Sequence, residues 1–161
     1  MSVSDIRGFL EILSKIGMIG SMKSSQNIPK IVSWIAITLG VLDILRGIIH
    51  TLLLNLAATS IAGLDLSTPQ AFDLLRLMGV FGISNYITGA ALILTGWKAR
   101  ELALILLGLI PAAYLVGGLA TRFYSAGFPQ TQANWGGLPM MLVYLAVSSL
   151  TFMYGIWKRG S

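Results

Sequence analysis

Long apolar stretches dominate the chain and alternate with short polar segments. Each stretch is long enough for a helix of about 20 residues, the length that crosses the hydrocarbon core of a bilayer. The pattern predicts four membrane-spanning helices, over residues 31–57, 72–97, 102–124 and 138–157. Because the connections between them are short, we expect residues 31–161 to form one domain, an all-α integral membrane four-helix bundle.

The segment before the first apolar stretch has a different pattern. Between Asp5 and Met22, large apolar residues recur at helical spacing, and charged residues occupy the other side. This pattern is typical of a helix that lies on a membrane surface. We therefore expect residues 1–30 to form an N-terminal cytoplasmic segment with an amphipathic interfacial helix, which either anchors the chain or docks a partner.

Composition restricts the class of protein further. Of the 161 residues, 55% are hydrophobic and only 11% are charged, whereas a soluble domain has about 25% charged residues. The chain has no cysteine, which excludes disulfides, iron–sulfur clusters and thiolate metal sites. The net charge of +5 does not indicate nucleic-acid binding, because the cations lie at the predicted membrane edges.

The positions of lysine and arginine predict how the helices are oriented. Cations precede the first span, fill the turn between the second and third spans, and follow the fourth: Arg7, Lys15, Lys23, Lys30, Lys98, Arg100, Lys158 and Arg159. Cytoplasmic connections are enriched in lysine and arginine. Both termini are therefore expected in the cytoplasm of a prokaryotic plasma (inner) membrane.

The first span carries an ionisable cluster. Asp43, Arg46 and His50 share one helix face, and the first two lie near mid-span. Insertion scales assign about 2.5–3.5 kcal/mol to each charged residue at that depth, so these side chains are expected to face protein. Two interpretations remain open. Either the Asp43–Arg46 pair only stabilises the fold, or these residues form a polar pocket. In such a pocket, Asp43 orients the N–H donors of the Arg46 guanidinium, and His50 exchanges a proton.

Polar groups of the other spans are expected to face this cluster. Asn85 lies near the middle of the second span and Tyr144 lies in the fourth, each on a face rich in small residues. Pro111 frees a main-chain carbonyl in the third span, which a ligand could use. The predicted ligand-binding cluster consists of Asp43, Arg46, His50, Asn85 and Tyr144, with Arg76, Arg122 and Trp135 at its outer rim.

Two segments of the sequence resemble the small four-helix prokaryotic membrane proteins grouped around DoxX. They are Arg46-Gly47 in the first span and the run from Asn85 to Gly96 in the second. The resemblance implies compact apolar helices and, as in some of those proteins, a role as a subunit of a quinone-linked oxidoreductase. It carries over no catalytic residue.

Motifs for nucleotide binding and serine hydrolysis are absent from the sequence, and a single histidine supplies neither bis-histidine haem ligation nor a zinc motif. No metal is expected and no cofactor is evident. Whether the chain is an enzyme is left open, although the lack of a motif weighs against it.

These observations favour a small accessory subunit of a larger membrane assembly. Its expected contacts are membrane lipids together with other subunits or further copies of itself. The alternative is a membrane-embedded site, for binding or catalysis, that takes a quinone, lipid or similar amphiphile at Asp43, Arg46 and His50. A third hypothesis is proton or ion passage through a dimer.

Overall fold

The structure is a computed structural model, which describes residues 28–127 and 137–160. In these ranges the chain forms four long helices: α1 (Lys30–Thr51), α2 (Ala71–Lys98), α3 (Arg100–Ser125) and α4 (Leu138–Arg159). The helices pack as an all-α four-helix bundle, which confirms the predicted fold class. The predicted interfacial helix before residue 28 lies outside the described residues, as does Trp135.

The surface of the bundle is apolar. Large hydrophobic side chains point outward on every helix, among them Trp34, Leu77, Leu115 and Leu150, and the buried core is small by comparison. All four helices are long and apolar enough to cross a membrane. An apolar exterior of this extent is stable in lipid but not in water, so the chain is a multi-pass membrane protein.

Helices α1 and α2 pack closely along a seam of small residues. A Cβ atom added to Gly40 would lie 2.7 Å from the main-chain oxygen of Gly89, and one added to Gly89 would lie 2.6 Å from that of Gly40. Only hydrogen fits at these two positions. The facing pairs recur every seven residues, which is the spacing of a left-handed helix pair; they are Ser33 with Gly96, Gly40 with Gly89, and Gly47 with Gly82.

This seam sets the depth of two polar residues. Asp43 lies between the second and third small positions of α1, and Asn85 lies between the facing positions of α2. Both side chains are buried. Because the two helices run antiparallel in this register, the carboxylate and the amide are held at the same level of the bundle.

Helix α1 ends earlier than the apolar stretch predicts. It stops at Thr51 rather than near residue 57, and the chain continues as a short helical turn, Leu54–Leu56, and a π-helical turn, Ala57–Ile61. At the break, the N–H of Leu53 donates to the carbonyl of Ile48, five residues back. The α-helical ladder therefore slips by one residue, a change that hydrophobicity alone does not encode.

The two ends of the bundle are packed differently. We call the end where Ala99 joins α2 to α3 the closed end, and the opposite end the open end. At the closed end, Arg100 donates to the carbonyl of Ile28 at 2.7 Å, and Glu101 pairs with Arg159 at 2.8 Å. Most of the hydrophobic core lies in this half: Val32, Ala36, Leu39, Leu92, Ala103, Leu104 and Leu107.

Toward the open end the helices separate. Residues 115–125 of α3 and 138–140 of α4 are exposed, and apart from the local backbone of α3 no described atom lies within 4 Å of a Cβ placed on Gly117 or Gly118. The gap that this leaves beside α2 holds the site described next.

Candidate functional site

Asp43 is the buried charge at the centre of the bundle, with only 3% of its surface exposed. The hydroxyl of Tyr144 donates to Oδ2 of the carboxylate at 2.8 Å. Nη1 of Arg46 lies 3.5 Å from the other carboxylate oxygen. A buried carboxylate needs both charge compensation and hydrogen-bond donors, and here α1 supplies the first while α4 supplies the second.

Arg46 is held among aromatic rings. Its guanidinium carbon lies 5.7 Å from the ring centre of Phe81 and 6.0 Å from that of Tyr144. Both distances are within the range of cation–π attraction. Arg46 therefore packs beside the carboxylate of Asp43, between α2 and α4, and does not project into open space.

His50 belongs to the same stripe but contacts different groups. Its Nδ1 atom lies 2.8 Å from the main-chain carbonyl of Arg46, and its ring meets the ring of Phe81 edge-on at 5.6 Å. A carbonyl can only accept, so Nδ1 carries the proton and donates. This bond fixes the orientation of the imidazole along α1.

Asn85 has an unused donor. The residue is 5% exposed, and its side-chain nitrogen, Nδ2, is buried without an acceptor among the described residues. Leaving such a group unpaired costs about 1–3 kcal/mol. Most buried polar groups in proteins are paired, so this amide is unusual among the described residues.

A cleft of about 400 Å³ lies between α2, α3 and α4 and reaches Asp43 on α1. Its walls are mainly apolar, with polar groups at a few points, as in typical ligand sites. The lining residues are Asp43, Phe81, Ser84, Asn85, Thr88, Ile110, Ala113, Tyr114, Gly117, Gly118 and Tyr144. The cleft is the gap left by the separation of the helices toward the open end.

The structure divides the predicted site residues that it describes into three groups. Three line the cleft together: Asp43, Asn85 and Tyr144. Arg46 contacts three residues of the lining and His50 contacts one, Phe81, but neither is itself part of the wall. The predicted rim arginines, Arg76 and Arg122, are exposed and do not line the cleft.

Three hydroxyl residues of the cleft were missed by sequence reasoning. The hydroxyl of Ser84 donates to the carbonyl of Phe81 at 2.7 Å, and that of Thr88 donates to the carbonyl of Ser84 at 3.1 Å. Tyr114 is contributed by α3. The spacing of Ser84 and Thr88 by four residues, beside Asn85, was a usable signal for one polar helix face.

The carbonyl freed by Pro111 is not available to a ligand. Proline lacks an N–H, so the carbonyl of Leu107, four residues earlier, has no intrahelical donor. The hydroxyl of Ser148 on α4 donates to this carbonyl at 2.8 Å, and both partners are fully buried. The bond ties α3 to α4 one helical turn from Tyr144 and so helps to hold that tyrosine against Asp43.

The connection between α1 and α2 contains a separate turn at the open end. Oδ1 of Asp65 accepts from the hydroxyl of Ser67 at 2.7 Å and from its main-chain N–H at 2.9 Å. These two bonds lower the pKa of Asp65 from its ordinary value of 3.8. The carboxylate caps a local turn and does not line the cleft.

Fold and site together define a membrane-spanning four-helix bundle with a polar cleft among its helices. Comparison of the chain with protein-family models, curated proteins and solved structures finds no match. The resemblance to the DoxX-like proteins therefore stays a prediction. Functional argument rests on the chemistry of the cleft itself.

Proposed function

We propose that the protein binds the polar head of a membrane amphiphile, such as a quinone or a lipid, in the cleft beside Asp43. The observation that carries the proposal is the buried Nδ2 of Asn85, which has no acceptor among the described residues and belongs to a residue that lines the cleft. A ligand that supplies an oxygen there removes the cost of an unpaired buried donor.

The position of the cleft favours a membrane amphiphile over a water-soluble compound as the ligand. The cleft lies between helices that carry exposed apolar residues, such as Ile87 on α2 and Leu115 on α3. A hydrocarbon tail can lie along these faces while the head reaches Asn85. The cleft volume of about 400 Å³ is within the usual range of ligand pockets.

The other site residues are assigned supporting roles. Tyr144 and Arg46 hold the Asp43 carboxylate in place and balance its charge. His50 lies outside the cleft wall with its Nδ1 bound to the main chain, so the proposed activity is binding and not proton transfer.

Native mass spectrometry of the protein, extracted gently from its own membrane, tests this proposal. We expect a reproducible extra mass of several hundred daltons on the wild type, and its loss from Asn85→Leu, which keeps the side-chain size but removes the donor. Thr95→Val is the matched control, because Thr95 lies on the same helix outside the cleft lining and its hydroxyl donates to the carbonyl of Ala91 at 2.7 Å. The proposal is contradicted if both variants retain the extra mass equally, or if the wild-type protein carries no extra mass.

The accessory-subunit hypothesis is tested by the same spectrum. We propose it as the second function because part of α3, residues 115–125, is exposed along its whole circumference among the described residues, which leaves a helix surface for a membrane partner. A defined heteromeric mass supports a subunit role. A monomer or homodimer without any other protein contradicts it.

We also propose that the closed end faces the cytoplasm of a prokaryotic inner membrane. In the described ranges, Lys30, Lys98, Arg100, Lys158 and Arg159 lie at this end, as the positive-inside rule requires. Since the chain has no cysteine, single cysteines report the orientation directly. In intact cells, an impermeant maleimide should label Asp65→Cys but not Lys98→Cys. The reverse pattern contradicts the orientation.

A further inference from the structure

The polar groups of the cleft differ in how far their hydrogen bonds are already used. Ser84 and Thr88 donate to carbonyls of their own helix, and Tyr144 donates to Asp43. The Nδ2 group of Asn85 is buried and uncommitted among the described residues. A ligand head that offers an acceptor to this nitrogen would satisfy the unpaired donor.

The charges of the cleft are balanced before any ligand arrives. Asp43 is the charged residue of the lining, and Arg46 compensates it from 3.5 Å. An anionic head would meet the carboxylate, and in the described part of the chain no lysine or arginine lines the cleft to balance the added charge. A cationic head would compete with Arg46 and Tyr144 for oxygens that they already hold. Either charge would also have to leave water for a mostly apolar cleft, at considerable cost.

We infer that the cleft selects an uncharged head that carries a carbonyl oxygen, and that this oxygen accepts from Asn85 Nδ2; the inference rests on the proposed function and specifies its ligand class. A carbonyl oxygen accepts a hydrogen bond and carries no charge. It therefore suits both Asn85, which needs an acceptor, and Asp43, whose charge is already compensated. Two kinds of membrane molecule offer it: the ring carbonyl of a quinone and the ester carbonyl of an acylated lipid.

Tyr114 adds a second polar contact on the opposite wall. It lies on α3, lines the cleft and is partly exposed. Its hydroxyl can donate or accept, so it suits a head that has a further oxygen. The rings of Phe81 and Tyr144 provide flat surfaces against which a planar carbonyl group can pack.

The test uses four probes that share a decyl tail and differ in the head. They are a decyl-substituted benzoquinone, decyl acetate, decyl phosphate and decyltrimethylammonium. The wild-type protein in detergent micelles is titrated with each probe and followed by amide proton–nitrogen NMR. The main-chain signals of Gly117 and Gly118, which line the cleft, report binding, and the side-chain NH₂ signals of Asn85 report the proposed bond.

We expect at least one carbonyl probe to bind at least about 10-fold more tightly than both charged probes and to move an Asn85 NH₂ signal downfield. Asn85→Leu should weaken that carbonyl probe by about 10-fold, the equivalent of about 1.4 kcal/mol. Thr95→Val should change the affinity of that probe less than about 2-fold, because Thr95 does not line the cleft and its hydroxyl donates to the carbonyl of Ala91 in its own helix. The tighter of the two carbonyl probes identifies the source, quinone ring or lipid ester.

Different failures have different meanings. A charged probe that shifts Gly117 and Gly118 and binds as tightly as the carbonyl probes overturns the inference but leaves amphiphile binding intact. If none of the probes shifts these signals, the inference and the proposed function both fail. Because the downfield shift is measured on the wild type, a folding defect in Asn85→Leu does not remove the test.

Discussion

The bond from Ser148 to the carbonyl of Leu107 allows a quantitative test of how α3 and α4 are joined. The bond is 2.8 Å long and fully buried, and Pro111 removes the only intrahelical donor that this carbonyl could have. Ser148→Ala leaves the carbonyl unpaired, which we expect to lower the free energy of unfolding by about 1–3 kcal/mol. Pro111→Ala restores an N–H that can donate to this carbonyl. In a protein that already carries Pro111→Ala, Ser148→Ala should therefore lower the free energy of unfolding by less than about 0.5 kcal/mol.

The assay is reversible unfolding of four proteins in mixed micelles, followed by circular dichroism as the denaturing detergent is increased. Wild type, the two single variants and the double variant form a cycle, and we expect a coupling energy of about 1–2 kcal/mol. Thr151→Ala is the control, because the hydroxyl of Thr151 donates to the carbonyl of Val147, which belongs to the same helix. Equal costs of Ser148→Ala in both backgrounds would refute the reasoning.

Three further predictions concern the seam, the buried carboxylate and the loop. Gly40→Ala should destabilise the bundle by about 1–3 kcal/mol, because its Cβ would meet main-chain atoms of α2, whereas Gly79→Ala, with no atom within 4 Å, should not; equal stability of the two variants contradicts this. Tyr144→Phe removes the hydroxyl donor to the carboxylate of α1 and should cost about 1.5–3 kcal/mol in the same unfolding assay; an unchanged stability contradicts it. The pKa of Asp65, measured by carboxyl NMR titration, should lie below 3.8, so the turn contributes stability above that pH and loses it as the pH falls through the lowered pKa. Ser67→Ala should raise this pKa toward 3.8, and an unchanged value contradicts the assignment.

Much of the fold follows from local pattern. A bilayer requires about 20 apolar residues per helix, so the apolar stretches predict four helices that the structure also contains. The proximity of Asp43 and Arg46 follows from their spacing of three residues on one helix. The early end of α1 at Thr51 could not be predicted, because the residues beyond it are as apolar as those before it.

The site depends on relations between helices, which a single sequence encodes weakly. The pairing of Tyr144 with Asp43 requires the relative depth of α1 and α4, which is set by packing. The same is true of Ser148, whose hydroxyl meets the Leu107 carbonyl only because α4 lies at that depth beside α3. Asn85 is recognisable in the sequence as a polar residue in an apolar span, but its lack of an acceptor among the described residues becomes visible only in the structure.

The separation along the chain between Asp43 and Tyr144 has a consequence for biosynthesis. The two residues are 101 positions apart, so at a synthesis rate of about 5–20 residues per second the tyrosine is made about 5–20 s after the aspartate. Arg46 follows Asp43 by three positions on the same helix and is present from the start. During that interval Arg46 compensates the charge of Asp43 within α1 while this helix enters the bilayer. Tyr144 adds its hydrogen bond to the carboxylate only after α4 has been inserted.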